Sequence, residues 1–377
     1  MMLLLLGSLL AASAEATGSL PPARDLRVEY AETPVQGVAV RRPRFGWSLE
    51  HPERGAAQAS YRVTVREAAA VAPSAAWDSG VVRSNATLGV RCGAALRSDT
   101  DYELTVVWSD ERGATAAPAT ARFSTALLDA ADWHGAEWLT LPNASDTRSQ
   151  FRAALALPPA KAVRRGVCYV AGLGYQRSFL NGERLASSPD DTLGPFLQFQ
   201  RRVAYDTYDV TSQLRPGANT LAVLLGRGWY SLPEDSFTGV LGYRTIGPRA
   251  LRVLCSIALE DGTALRFATG TAAWPWRHDS GERVVDHLFL GETIDKRLAT
   301  PGWELTGFDD SSWALATTAP PPPPPPPAPK IPLDCPAGQR VDFVEDEGDN
   351  GTCDCVSRRD TAAIWVAFSS RCQRSRC

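Results

Sequence analysis

The sequence predicts an all-β protein with two tandem antiparallel β-sandwiches, followed by a proline-rich linker and a cysteine-rich tail. Polar and apolar residues alternate with a period of two, as they do across residues 201–231. Turn pairs such as Asn181-Gly182 and Asp261-Gly262 separate the apolar segments. No long amphipathic helical pattern occurs anywhere in the chain, which excludes a helical or α/β fold.

The first predicted sandwich spans residues 20–127. Its short strand-like segments include "RFGWSL", "YRVTV" and "DYELTVVWSD", and turn-rich stretches separate them. The order Trp47, Tyr61, Tyr102, Trp108 is similar to that of a fibronectin type III module. We expect this domain to position its neighbours and to perform no chemistry.

A linker is predicted at residues 128–149, where Trp133 and Trp138 are expected to pin the seam between domains. The second sandwich is predicted at residues 150–317 and is expected to be jelly-roll-like. Asn181-Gly182 predicts a tight hairpin turn within it.

Residues 318–333 contain an unbroken run of eight prolines, Pro320 to Pro327, which predicts a stiff polyproline II linker. Residues 334–377 form a tail that holds five of the eight cysteines. Tail disulfides are expected in an oxidising compartment, and five cysteines leave at least one without a partner inside the tail. The tail has no histidine, which argues against a zinc site.

The formal net charge of −3 and the lack of a strongly basic stripe argue against a nucleic-acid partner. The pairs Arg164-Arg165 and Arg201-Arg202 are expected to lie on solvated faces. Residues 1–16 are interpreted as a signal peptide, too short to span a bilayer. Sequons at Asn85, Asn143 and Asn350 agree with a secreted or lumenal glycoprotein without a membrane span.

Several phrases of the second sandwich together resemble one enzyme family. They are "GYQRSFLNG" (174–182), "YDTYDVT" (205–211), "LGRGWY" (225–230), "GETIDKRLATPGW" (291–303) and "FDDSSW" (308–313). The combination resembles the N-terminal region of bacterial-type α-L-rhamnosidases, glycoside hydrolases that remove terminal rhamnose. "PRFGW", "YRVTV" and "WDSG" resemble the module that opens many of them, so the resemblance covers most of residues 21–315.

The chain departs from the family pattern in the segment 291–303. Ile294 stands where the family usually has Tyr, Lys296 replaces the usual Ala, and an acidic residue is missing at or beside Thr300. The family's catalytic domain is a helical barrel, and no part of this chain resembles it. We therefore expect the catalytic domain to be absent and carry over no catalytic residue.

Glycoside hydrolysis needs two carboxyl groups at a defined separation. Turns, strand ends or solvated faces explain every acidic residue of the second sandwich that was considered, so none is expected to be catalytic. The candidates are Asp190, Asp191, Asp206, Asp209, Glu282, Asp286, Glu292 and Asp295.

The resemblance implies carbohydrate binding, with calcium as the one cofactor it suggests. A hard cation can coordinate sugar hydroxyls together with carboxylate and amide oxygens. Asn181 and Asp190 would be calcium ligands, Asp190 or Asp191 would supply charge, and Trp229 or Tyr230 would stack on the sugar. The alternative is that Asn181 only forms a tight turn and Trp229 packs in the core.

Three functions remain open from the sequence. The first is the non-catalytic N-terminal part of an α-L-rhamnosidase-like secreted protein, recognising a rhamnose-containing glycan or polysaccharide. The second is a stand-alone secreted glycan-binding protein. The third is an extracellular structural spacer.

Overall fold

The computed structural model describes residues 20–68, 75–140, 150–186, 197, 199, 202–232, 246–322, 339–344 and 352–357. Within these residues the regular structure is β-strand apart from two short 3-10 turns, which confirms the all-β prediction. No helix in this part of the chain is long and apolar enough to cross a membrane. Two compact units divide at Pro322.

Ten strands form the first sandwich. They are β1 (Arg24–Val28), β2 (Ala31–Glu32), β3 (Val35–Val38), β4 (Arg44–Ser48), β5 (Gln58–Glu67), β6 (Ala75–Asp78), β7 (Val82–Arg83), β8 (Leu88–Arg91), β9 (Asp101–Asp110) and β10 (Ala119–Thr125).

Two sheets of this sandwich enclose one hydrophobic core. One sheet has the order β2-β1-β4-β8, and the other β3-β10-β9-β5-β6, with β7 also paired to β5. Strand β9 alternates buried and half-buried residues along its whole length, as expected for a strand with one face on a core. Trp47, Tyr61, Tyr102 and Trp108 all lie in this core, as their order in the sequence predicts.

The second sandwich begins after a 3-10 turn (Ala130–Trp133) and contains most of the remaining strands. They are β11 (Trp138–Thr140), β12 (Gln150–Leu157), β13 (Val163–Leu173), β14 (Tyr175–Leu180), β15 (Glu183–Leu185), β16 (Asp206–Asp209), β17 (Gly217–Gly226), β18 (Ala250–Leu259), β19 (Ala264–Ala268), β20 (Arg277–Asp279), β21 (Arg283–His287), β22 (Gly291–Ile294), β23 (Ala314–Leu315) and β24 (Thr317–Ala319). A second 3-10 turn, Lys296–Leu298, follows β22.

The sheets β16-β13-β18-β11-β24 and β15-β14-β17-β12-β20-β23 bury a common core of side chains from both. Strand β11 pairs with β18 and β24, so the second sandwich takes a strand from the segment predicted as linker. Leu139 of β11 joins the core and Trp138 packs on the opposite face of the sheet. This two-sided burial explains why the segment is ordered as a strand.

A buried disulfide joins the two central strands of the first of these sheets. Cys168 of β13 lies directly opposite Cys255 of β18, and both residues are fully buried. Cys92, in the first sandwich, is the free and buried cysteine of the described residues.

An ionic and hydrogen-bonded network joins the two sandwiches. The Arg165 guanidinium lies 2.7 Å from Asp99 and 2.9 Å from Asp101, and Tyr169 donates a hydrogen bond to Asp99 at 2.7 Å. The sequence pair Arg164-Arg165 suggested a solvated face. For Arg165 this prediction is wrong, because two carboxylates of the first sandwich face its guanidinium. Trp133 and Trp138 are buried in the apolar cluster that also contains Tyr169.

Close backbone approach also marks the seam. Gly37 has a φ of +68°, and a Cβ there would lie 2.6 Å from the Thr207 hydroxyl of the second sandwich. Glycine is needed here both for its backbone conformation and for its lack of a side chain.

The second unit contains an antiparallel hairpin of β25 (Gln339–Val344) and β26 (Thr352–Ser357). Cys353 and Cys355 lie on β26. Cys335, Cys372 and Cys377 lie outside the described residues, as do the predicted signal peptide and Pro323 to Pro327 of the polyproline run.

Replacing Arg165 with Leu should destabilise the chain, because Asp99 and Asp101 would lose their cation. Breaking one partner of a buried pair costs about 3–5 kcal/mol, and the partial exposure of this site reduces the expected loss to about 2 kcal/mol. Urea unfolding followed by tryptophan fluorescence measures it. Arg164→Leu is the matched control, since Arg164 is exposed. Equal losses for the two variants would contradict a structural role for the Arg165 network.

Alkaline pH should weaken the fold through buried tyrosines. Burial raises the pKa of Tyr205 to about 12, and burial together with the Asp99 charge raises that of Tyr169. An unfolded tyrosine ionises near pH ~10, so above that pH the unfolded state binds fewer protons and stability falls with rising pH. Tyr205→Phe should remove up to about 1.4 kcal/mol per pH unit of this loss between pH ~10 and 12. Unfolding midpoints across that range test the prediction, with the exposed Tyr30→Phe as the control that should leave the slope unchanged.

Candidate functional site

Asn181 forms the tight turn that its Asn-Gly pair predicts. Strands β14 and β15 pair through Leu180 and Glu183, so Asn181 and Gly182 are the two turn residues. Their φ angles are +55° and +86°, the left-handed conformation that both residue types accept.

The Asn181 side chain is fully engaged in this turn. Its Nδ2 donates to the Gln213 carbonyl and to Asn219 Oδ1, at 3.2 and 2.9 Å. Its Oδ1 accepts from the Thr220 amide at 2.9 Å and from the Thr306 hydroxyl at 2.8 Å. The side chain ties the turn to strand β17 and to the segment after β22.

These contacts do not fit calcium coordination by Asn181. A carbonyl oxygen has two lone pairs, and both are used by hydrogen-bond donors here. Asp190 and Asp191 lie outside the described residues. Within the described part of the chain, no group of three or more His, Cys, Asp or Glu residues is arranged to hold a metal ion.

Tyr230 has no ring face available for a sugar. Its side chain is 2% exposed and packs edge-on against Phe199 with ring centroids 5.3 Å apart. The stacking role considered for Tyr230 therefore fails. The residue points into the apolar cluster that covers the outer face of the β13–β18 sheet.

Trp229 follows β17 beside Tyr230 and packs against the same apolar cluster. It is half-buried and meets Phe289 edge-on, with ring centroids 5.6 Å apart. Phe289 is 37% exposed and belongs to the turn between β21 and β22. Gly228 lets this turn pack closely, since a Cβ there would lie 2.9 Å from the Tyr175 ring.

Charged residues lie on the same β21–β22 hairpin as Phe289. Asp286 accepts a hydrogen bond from the Arg227 amide at 2.7 Å, which ties β21 to the Trp229 turn. Arg283 lies 2.8 Å from Glu292 and 3.9 Å from Asp286. We call Trp229, Phe289, Arg283, Asp286 and Glu292 the Trp229 surface. Aromatic rings beside carboxylate and guanidinium groups can hold a sugar by its C–H face and its hydroxyls.

Structural contacts account for several of the other acidic candidates. Asp206 accepts from Gln176 Nε2 at 2.7 Å and from the Tyr208 hydroxyl at 3.1 Å. Asp209 accepts from the Thr211 amide at 3.0 Å.

Two further acidic candidates, Glu282 and Asp295, flank the β21–β22 hairpin. Glu282 pairs with Lys296 at 2.8 Å. Asp295 caps the second 3-10 turn by accepting from the Arg297 amide at 3.0 Å. Asp286 and Glu292 form a cross-strand pair of the β21–β22 hairpin, which also carries Phe289. Of the acidic candidates that the structure describes, they are the two placed on this hairpin beside an aromatic residue.

Sequence reasoning missed Phe289 and Arg283 because they lie more than fifty positions from Trp229 and no local motif joins them. Of the sequons, Asn85 is exposed just before β8 and therefore accessible to modification. Asn143 and Asn350 lie outside the described residues.

Comparison with known families covers both sandwiches. Residues 23–129 match the Rha78A-like N-terminal immunoglobulin domain, and residues 161–331 match the α-L-rhamnosidase N-terminal domain. An α-L-rhamnosidase from Formosa agariphila is 29% identical over 328 residues, which cover 77% of this chain and 33% of that protein. An α-L-rhamnosidase from Streptomyces avermitilis is 38% identical over 186 residues, covering 49% of this chain and 17% of that protein.

Solved structures show the same architecture. The α-L-rhamnosidase from Dictyoglumus thermophilum superposes with a TM-score of 0.69 at 26% identity, covering 81% of this chain and 35% of that one. The Streptomyces avermitilis α-L-rhamnosidase complexed with L-rhamnose has a TM-score of 0.69 at 22% identity, covering 80% of this chain and 45% of that one, and shares the fold.

These matches define a tandem pair of β-sandwich domains that occur in a glycoside hydrolase family. The chain belongs to the N-terminal region of the α-L-rhamnosidases. It spans about a third of the length of the Formosa relative.

Asn181→Ala should lower the free energy of unfolding by about 2 kcal/mol, because the buried partners lose their hydrogen bonds and Ala disfavours a positive φ. Asn181→Asp, which keeps the two acceptor sites, should lose less. Thermal unfolding with calcium and with a chelator separates the two roles of Asn181. A turn residue destabilises equally in both conditions. Calcium stabilisation that disappears only in Asn181→Ala would instead make it a ligand.

Proposed function

We propose that this chain is the recognition and scaffold region of an α-L-rhamnosidase-type protein and binds rhamnose-containing glycans at the Trp229 surface. The observation that supports the proposal is that the two N-terminal family domains occur in order along one chain, with an aromatic and charged surface on the second. The relatives carry the name of an enzyme that acts on rhamnosides, so a rhamnose unit is the ligand to test first.

The Trp229 surface suits a deoxy sugar. Rhamnose has an apolar methyl group and C–H face, which the Trp229 and Phe289 rings can contact. Its hydroxyls can hydrogen bond to the carboxylates of Asp286 and Glu292 and to the guanidinium of Arg283. Leu290 is 64% exposed at the same turn and extends the apolar part of the surface.

Binding and positioning are the contributions we assign to this chain. The described acidic residues are held in turns, caps and ion pairs, and we assign none of them a hydrolytic role. Secretion is part of the proposal. The apolar N-terminal run, the exposed sequon at Asn85 and the buried Cys168–Cys255 disulfide support it, since disulfides persist in oxidising compartments.

A rigid extracellular spacer is the second candidate function. The network of Arg165 with Asp99 and Asp101, together with the close approach at Gly37, favours a fixed relation between the two sandwiches. A fixed contact between the two sandwiches would support a spacer function without any bound ligand.

Calorimetric titration with L-rhamnose, with and without calcium, tests the proposal. Trp229→Ala should weaken binding about five- to thirtyfold, because a ring contact of about 1–2 kcal/mol is lost. Trp303→Ala is the matched control, since Trp303 is also half-buried in the second sandwich but packs on Phe179 and Trp313. No heat from the unmodified chain would favour the spacer.

A parallel assay with p-nitrophenyl α-L-rhamnoside tests the assignment of chemistry. We expect no nitrophenol release by this chain. Release that is abolished by Asp286→Asn but not by the exposed control Asp25→Asn would place hydrolysis at the Trp229 surface and contradict the proposal.

A further inference from the structure

The first sandwich carries a second candidate binding site, a cavity of about 560 Å³. It lies where the segment before β4, the end of β8 and the loop after β8 meet, and Val40 and Ala95 give it an apolar wall. Its volume falls within the range of small-ligand sites, about 300–1,000 Å³. The lining residues are Glu29, Val40, Arg41, Arg42, Arg44, Arg91 and Ala95.

Four of the seven lining residues are arginines and one is acidic. The single acidic residue, Glu29, is already used by Arg44, whose guanidinium lies 2.6 Å from it. The pKa of the Glu29 carboxyl is lowered, chiefly by its hydrogen bond with Arg44, so it stays charged. Arg41 pairs with Asp129 outside the cavity lining.

Two guanidinium groups of the cavity lining have no direct partner among the described residues. Arg42 and Arg91 are exposed, and neither has a hydrogen-bond or ion-pair partner within the part of the chain that the structure describes. A chain with a formal net charge of −3 therefore concentrates uncompensated positive charge at one cavity.

The strand register adds to this concentration. Arg44 of β4 lies directly opposite Arg91 of β8 across an antiparallel pair. Like charges at directly opposed positions destabilise a sheet. Glu29 pairs with Arg44 and is also attracted to Arg91, so the two arginines share one carboxylate and an excess positive charge remains at the cavity. A bound anion would compensate it.

We propose that this cavity binds the carboxylate or sulfate group of an acidic saccharide. The proposal rests on the proposed function, because it takes the ligand to be an acidic unit of the glycan recognised by the chain. Guanidinium groups bind planar or tetrahedral oxyanions through charge-assisted hydrogen bonds. Val40, 40% exposed, and Ala95 offer an apolar contact to the sugar ring.

Calorimetry on the full chain at low ionic strength tests the inference with four probes: an oligogalacturonate, a sulfated rhamnose oligosaccharide, a neutral rhamnose oligosaccharide and sodium sulfate. Arg42→Gln/Arg91→Gln should weaken binding of an acidic oligosaccharide at least tenfold. Arg54→Gln/Arg83→Gln is the control, because it removes the same charge from exposed positions outside the cavity lining. Raising the salt concentration should also weaken binding, since exposed charges are screened.

The two acidic oligosaccharides distinguish carboxylate from sulfate as the recognised group. Failure of both to bind, or equal loss in the two double variants, would overturn the inference. If sodium sulfate binds as tightly as the sulfated oligosaccharide, the inference that the ligand is a saccharide is wrong.

The neutral probe keeps the two proposals separate. Trp229→Ala should weaken binding of the neutral oligosaccharide about five- to thirtyfold and leave the affinity for the oligogalacturonate, which carries no rhamnose, unchanged. Arg42→Gln/Arg91→Gln should weaken binding of the oligogalacturonate and leave the affinity for the neutral oligosaccharide unchanged. If the unmodified chain binds the acidic oligosaccharides but not the neutral one, the proposal for the Trp229 surface fails and the proposal for the cavity stands.

Discussion

The pairing of strand β13 with β18 is the constraint on which the rest of the second sandwich depends. The two strands pair along ten positions, from Val163 to Leu173, and the disulfide of Cys168 lies within that pairing. Because side chains alternate along a strand, β13 directs Cys168 and Val170 into the sandwich core and Tyr169 to the seam. One strand therefore sets both the internal core and the contact with the first sandwich, and a register shift by one residue would exchange them.

The seam that β13 presents has a functional consequence for recognition. Arg165 and Tyr169 both reach Asp99, so charge, hydrogen bonding and the adjacent apolar cluster are satisfied in one relative arrangement of the two sandwiches. Two surfaces held on such a body can bind separate units of one glycan with a high effective concentration. If both proposed sites bind, modest affinity at the Trp229 surface and at the arginine-lined cavity would suffice for tight binding of an acidic, rhamnose-bearing chain.

Local features of the structure could be predicted from the sequence, because they depend on neighbouring residues. The Asn181-Gly182 turn and the turn at Asp261-Gly262 between β18 and β19 both occur as their dipeptides indicate. The roles of Arg165 and Tyr230 could not be predicted, since one depends on carboxylates more than sixty residues away and the other on which face of a turn the chain buries. A half-exposed Trp229 beside a buried Tyr230 shows how one residue of register decides between a ligand surface and a core.

Two of the departures from the family pattern, Ile294 and Lys296, lie at exposed positions. Ile294 is 40% exposed at the end of β22, and Lys296 pairs with Glu282 across the exposed β21–β22 hairpin. By contrast, the nearby Phe308–Trp313 segment, which follows the pattern, is held by Arg152, a 4% exposed guanidinium that donates to the Phe308 and Leu305 carbonyls. An unpaired guanidinium in that position would carry a large desolvation cost, so the anchored segment is constrained. The exposed positions Ile294 and Lys296 have no such anchoring role, so we infer that their divergence changes the hairpin surface and not the core.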